Sequence, residues 1–160
     1  MNLLGLLHTG SAVAALACGA VVLLQRKGTR VHRRLGWAYV ASMVTLNVTA
    51  LLIYRLFGGL GPFHLAALVS LATLAAGVVA VARRRPAHDW VEHHYWWMAY
   101  SYLGLVAAGV AEATTRSGVV GFWWAVLAAT VFVFAVGSTM IRRRAGATLA
   151  PFVRATPPAP

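Results

Sequence analysis

This 160-residue chain is 60% hydrophobic with a mean hydropathy of +0.72, more apolar surface than one soluble core of that size encloses. A soluble globular domain is excluded and an integral membrane protein is expected. The formal net charge of +11 does not point to nucleic acid, because the basic residues gather between apolar runs, where they report topology and meet anionic headgroups.

A helix needs roughly 20 apolar residues to cross the hydrocarbon layer. Five stretches qualify: Leu3 to Leu24, Leu35 to Phe57, Pro62 to Ala82, Glu92 to Ala113 and Val119 to Ile141. In the first, Ser11, Ala15 and Gly19 make a small-residue face, and His8 precedes Ser11 by one turn, so it points into the same interface. The one cysteine, Cys18, lies inside this run and rules out an intramolecular disulfide. The first positive charge, Arg26, follows the run, so a retained helix is expected rather than a signal peptide.

The second stretch is entered through His32-Arg33-Arg34-Leu35-Gly36-Trp37-Ala38-Tyr39. On a helix, His32, Gly36, Tyr39, Met43 and Asn47 fall on one stripe, predicted to face something other than lipid. In the third, Ser70, Thr73 and Gly77 share a face, and the angular count points His64 away from it. The fourth carries a stripe of His94, Met98, Ser101, Leu105, Ala108 and Glu112. The fifth has neither histidine nor acid and is expected to be peripheral, with Trp123 and Trp124 as interfacial anchors.

Arg26, Lys27, Arg30, Arg33 and Arg34 lie in the first connection, Arg83, Arg84 and Arg85 in the third, and Arg142, Arg143, Arg144 and Arg154 after the fifth stretch. Only Arg55 and Arg116 lie on the other side. The expected fold is therefore all-α: an integral membrane helical bundle of five transmembrane helices, four in the core and one peripheral. Its N-terminus is outside and its C-terminus cytoplasmic. Residues 1–144 read as one transmembrane domain and 145–160, with four prolines, as a disordered cytoplasmic tail.

On this topology the histidines form two layers. His8 and His64 lie near the outer surface; His32, His88, His93 and His94 lie near the cytoplasmic one. One imidazole from each of two helices at one level is the pattern that holds haem b, so His8 with His64 and His32 with His94 are the candidate pairs. Gly36 and Ser11 would leave room for the flat macrocycle, and Arg33 would pair with a propionate. The alternative cofactor is zinc or iron. His88, Asp89, Glu92 and His93, with His94, lie within seven residues, and imidazole with carboxylate suits either metal. His8, His64 and Glu112 are a weaker grouping of the same kind. The competing reading is structural, with the histidines as ordinary interfacial residues. Nucleophilic catalysis has little support: Cys18 has no acid or base at its depth, and Ser11 and Ser101 suit helix packing.

His8 through Gly19, the His32 to Tyr39 segment, and His94-Tyr95-Trp96-Trp97-Met98-Ala99-Tyr100-Ser101-Tyr102 together resemble the bacterial membrane proteins grouped as domain of unknown function 2306. The likeness covers roughly residues 3 to 110 and rests on His8, His32, Arg33, Gly36, Tyr39, His94, Met98, Ser101 and Tyr102. Trp37 and Tyr100 depart from it, standing where arginine is common. The resemblance implies a multi-helix membrane architecture and picks His94 over His93, but it supplies no activity. The expected function is a redox or electron-transfer membrane subunit using haem b and the lipid bilayer as its medium, not a stand-alone enzyme. The alternative is a membrane assembly or partner-binding protein, with another membrane protein or a second copy as partner.

Overall fold

A computed structural model describes residues 2–54, 58–84, 89–118 and 121–153. Among these residues the chain is all-helical: α1 (Leu3–Leu24), α2 (Arg30–Leu51), α3 (Pro62–Arg83), α4 (Trp90–Ser117) and α5 (Phe122–Val153). Three are long and apolar enough to cross a membrane, namely α1, α3 and α5. The other two fall short of that apolarity because they carry the polar residues. Arg30, Arg33, Arg34, Asn47 and Thr49 are on α2, and Glu92, His93, His94 and Glu112 are on α4.

The helix ends follow local chemistry. The Asn2 side chain caps α1 by accepting the Gly5 N–H at 3.0 Å. At the other end Lys27 Nζ turns back onto the Val22 and Leu23 carbonyls at 2.8 and 2.9 Å. Gly28, at φ 79°, makes the turn in a conformation that costs other residues strain. Thr29 then caps α2, its Oγ1 accepting the His32 N–H at 3.1 Å. This cap starts α2 at Arg30, five residues before the expected Leu35, and puts His32 in the first helical turn. Pro62 opens α3 at the position where its missing N–H costs nothing. Gly118, at φ 67°, closes α4.

The chain divides into two compact units, Met1–Ala75 and Ala76–Pro160. In the first, α1 packs along α2. The pair is antiparallel, since His8 near the start of α1 meets Thr49 near the end of α2. The expected faces are the buried ones: Ala15 and Gly19 on α1, and Tyr39, Met43 and Asn47 on α2, with His32 and Gly36 half-buried. In the second unit α4 packs along α5, again antiparallel, with the Tyr95 hydroxyl donating to the Ile141 carbonyl at 3.0 Å. The two helices meet closely where Leu103 covers Gly137, so tightly that a Cβ there would overlap its side chain. Leu103, Ala107 and Val133 form the centre of this packing, and Trp123 and Trp124 on α5 are exposed.

Two expectations are corrected here. Helix α5 does not stop at Ile141: it continues through Arg142, Arg143 and Arg144 to Val153, with Pro151 inside it. Ala145, Ala147, Leu149 and Ala150 are good helix formers, and Pro151, which lacks the N–H for its own i−4 bond, comes only two residues before the helix ends. Residues 145–153 are therefore helix rather than disordered tail; 154–160 lie outside the described residues. His64 is the second correction. It is buried, as are Ala67 and Leu74 three and ten residues on, while Ser70 and Thr73 are only half-buried, so the counted face is not the buried one at this end of α3. The expected end of the second stretch at Phe57, the start of the fifth at Val119, and Arg55 and Arg85 also lie outside the described residues.

Candidate functional site

In the first unit, His8 Nδ1 lies 3.1 Å from Thr49 Oγ1. That hydroxyl sits 2.8 Å from the Thr45 carbonyl and 2.9 Å from the Leu46 carbonyl, which can only accept. The Thr49 hydrogen therefore goes to the backbone, and Oγ1 accepts from His8 Nδ1–H. The neutral His8 ring carries its lone pair on Nε2.

His64 has the opposite tautomer. Its Nδ1 accepts the Gly61 N–H at 3.0 Å, so the neutral ring holds its proton on Nε2. Gly61 precedes the first residue of α3 and His64 is the third residue of that helix. The imidazole thus fills the role that Glu or Gln fills in a capping box, reaching back to the N–H of the cap residue. Its ring stacks on Tyr54, with centroids 5.0 Å apart and planes 24° from parallel. His64 Nε2 is buried and has no hydrogen-bond partner among the described residues. Tyr54 also lines a cavity of about 520 Å³ with Asn2, Leu4, Gly5, Leu52 and Ile53. That lining is mostly apolar, and the Asn2 side chain is already engaged as the α1 cap.

On α2, His32 lies on the face of Gly36, and a Cβ added at Gly36 would meet nothing within 4 Å. Arg33 is exposed. Ser11 Oγ donates to the Leu7 carbonyl at 2.7 Å, and Ser101 Oγ to the Met98 carbonyl at 2.9 Å, the back-bonding of helix-packing serines rather than activated nucleophiles.

The second unit holds the most constrained histidine. His94 Nδ1 donates to the Gly77 carbonyl at 2.9 Å, tying α4 to the later part of α3. Gly77 is buried, and a Cβ there would stand 2.7 Å from Met98 Sδ and 3.3 Å from Trp97 Cβ. The helices approach because residue 77 has no side chain. Its role as the partner of His94 was missed in the sequence, although Gly77 was noted there as part of a small-residue face.

The metal alternative fares differently. Among the described residues no group of three or more His, Cys, Asp or Glu side chains converges. His88 lies outside the described residues. The exposed His93 donates Nδ1–H to the Asp89 backbone carbonyl at 2.9 Å, and Glu92 Oε1 accepts from Trp96 Nε1 at 3.1 Å. Neighbours in sequence project to different sides of a helix, and these two have turned to local partners. Glu112 is bound at the exposed end of α4 by Arg116, whose Nε donates to Oε1 at 2.7 Å.

A family model described as "Predicted membrane protein (DUF2306)" matches residues 5–145. The chain belongs to this family. No curated protein and no solved structure matches it. The matched segment spans all six histidines and runs beyond residue 110 through most of α5. Membership makes the chain a membrane protein with helices suited to the bilayer.

Proposed function

We propose that this protein crosses the bacterial inner membrane five times, binds haem b through His94, and serves as a redox or electron-transfer subunit. The hydrogen bond from His94 Nδ1 to the Gly77 carbonyl carries the reading. A backbone carbonyl only accepts, so it fixes the proton on Nδ1 and leaves the lone pair of the neutral ring on Nε2. An Nδ1–H held by a carbonyl is the outer-shell arrangement that orients ligating histidines. Bound haem supplies one-electron exchange; the chain's part is to hold the imidazole in the ligating tautomer inside a packed helix pair. His8 shares that tautomer and is a second candidate ligand. His64 presents an Nε2 proton, which suits donation to an acceptor and not bonding to iron. The five crossings and the outside N-terminus are supported by twelve of the fourteen basic residues falling on one side.

The second reading is a non-enzymatic membrane assembly protein. It is favoured by the same contacts taken as ties, His94 to Gly77 and Tyr95 to Ile141, each joining two helices of one unit. Absorption spectra of protein purified in mild detergent from haem-supplied cells separate the two, with metal analysis on the same sample. The expected result is a Soret band and a sharp α band after dithionite, absent in His94→Ala and in His94→Gln, which keeps a donor for the Gly77 carbonyl, and retained in His64→Ala. A featureless spectrum sinks the haem reading and leaves the assembly reading. Bands that survive both His94 substitutions remove His94 as the ligand.

A further inference from the structure

The outward face of α2 takes no part in the His94 contacts; Arg33, considered above as a propionate partner, is one member of it, and its composition is specific. Arg30, Arg33, Arg34 and Trp37 lie within about two turns on a single side of the helix, and Ala41, Val44 and Val48 continue that side. All seven are exposed, Trp37 at 66%. The buried residues Tyr39, Met43 and Asn47 occupy the opposite side, so this face is not turned toward the α1 contact. From Trp37 to Val48 the helix rises about 16 Å, close to the depth of one leaflet of a hydrocarbon layer about 30 Å thick.

Two electrostatic facts make the three arginines anomalous. Residues 1–75 contain no aspartate or glutamate, so no acidic side chain of their own unit balances them. They also stand in the first turns of α2, where the positive end of the helix dipole disfavours cations and favours anions. An external anion would relieve both, and the apolar stripe beneath it, beginning at a tryptophan, is what an acyl chain would follow.

We propose that this face of α2 is a binding site for an acidic phospholipid, the phosphate held by Arg30, Arg33 and Arg34, the glycerol region at Trp37, and the acyl chains along Ala41, Val44 and Val48. The site uses α2 as a membrane-crossing helix, does not depend on ligation by His94, and gives Arg33 to a lipid phosphate instead of a propionate. The test is thermal unfolding of the full chain in detergent, titrated with dioleoylphosphatidylglycerol, with dioleoylphosphatidylcholine, or with inorganic phosphate. The expected result is a rise of several degrees in Tm with phosphatidylglycerol and little or none with the other two. That rise is retained in His94→Ala and abolished in the triple variant Arg30→Gln, Arg33→Gln, Arg34→Gln. An equal rise with phosphatidylcholine, a rise with phosphate alone, or a full rise in the triple variant would overturn it. Where the triple variant does not fold, salt decides on the unaltered chain. Raising it from about 0.1 M to 1 M shortens the Debye length from about 10 Å to 3 Å. The phosphatidylglycerol response is expected to fall away at the higher salt, and a response that persists overturns the proposal.

Discussion

The two helical hairpins tie their polar groups in different ways. In α1 and α2 the ties run through side chains: His8 donates to a threonine hydroxyl that is itself bonded backward to its own helix. In the second unit they end on backbone carbonyls, His94 on Gly77 and Tyr95 on Ile141. Glycines also allow close approach there, with Gly77 under Met98 and Gly137 under Leu103. A side-chain partner can rotate to follow a ring, whereas a helical carbonyl cannot. The second arrangement therefore fixes one imidazole in position and tautomer, which is the requirement for a ligand site and also for a rigid tie.

Enlarging Gly77 attacks that difference most directly. Gly77→Val places branched carbon where Met98 Sδ and Trp97 Cβ already stand, and Met98 can move while the Trp97 Cβ cannot without its helix. The expected loss is about 1–3 kcal/mol, the usual cost of overpacking, seen as a lowered midpoint of unfolding in detergent. Any haem absorption should weaken with it, because separating the helices lengthens the bond that fixes His94. Gly36→Val is the matched control: a Cβ at Gly36 meets nothing within 4 Å, and stability should change little. Equal losses at the two glycines would show that the close contact at Gly77 is not special.

Much of this architecture was legible in the sequence. Apolar run lengths gave the number of helices, and small-residue and polar stripes gave the buried faces of α1 and α2, because both are period-of-3.6 properties that neighbouring helices do not alter. What escaped was set by single hydrogen bonds. Thr29 moved the start of α2 forward by capping it, and the helix-forming residues after Arg144 carried α5 past the point where three arginines suggested an end. His64 escaped for a different reason. Angular counting is anchored on the polar Ser70 and Thr73, whereas the buried side at this end of α3 is the one His64 shares with Ala67 and Leu74. The candidate site was legible as a choice of histidines but not of tautomers, since a tautomer depends on which atom the folded chain brings to Nδ1.

The contrast between a capping histidine and a positioned one is sharpened by His64. His64→Ala removes the acceptor of the Gly61 N–H, and a loss of about 1 kcal/mol in unfolding free energy is expected, typical of a lost helix cap. His64→Gln should recover much of it, because glutamine at the third helical position accepts the same N–H. Neither change should alter the absorption of any bound haem. Equal destabilisation by alanine and glutamine would mean that the stacking on Tyr54, and not the cap, is what the imidazole contributes.

The smallest effect lies in the turn of the first hairpin, where Lys27 bends back onto the last carbonyls of α1. Burial lowers the pKa of its ammonium below 10.5, so between the folded value and 10.5 the unfolded chain binds more protons than the folded one. Stability from this group therefore rises with pH across that window. Below it the cost of burying the charge is present in full. The observable is the Tm difference between the unaltered chain and Lys27→Gln, measured at neutral pH and again near the top of the window. It should move in favour of the unaltered chain as pH rises, by a small amount, because the side chain is only half-buried. Movement in favour of the glutamine variant would mean that the charged ammonium gains more from the Val22 and Leu23 carbonyls than it loses by desolvation.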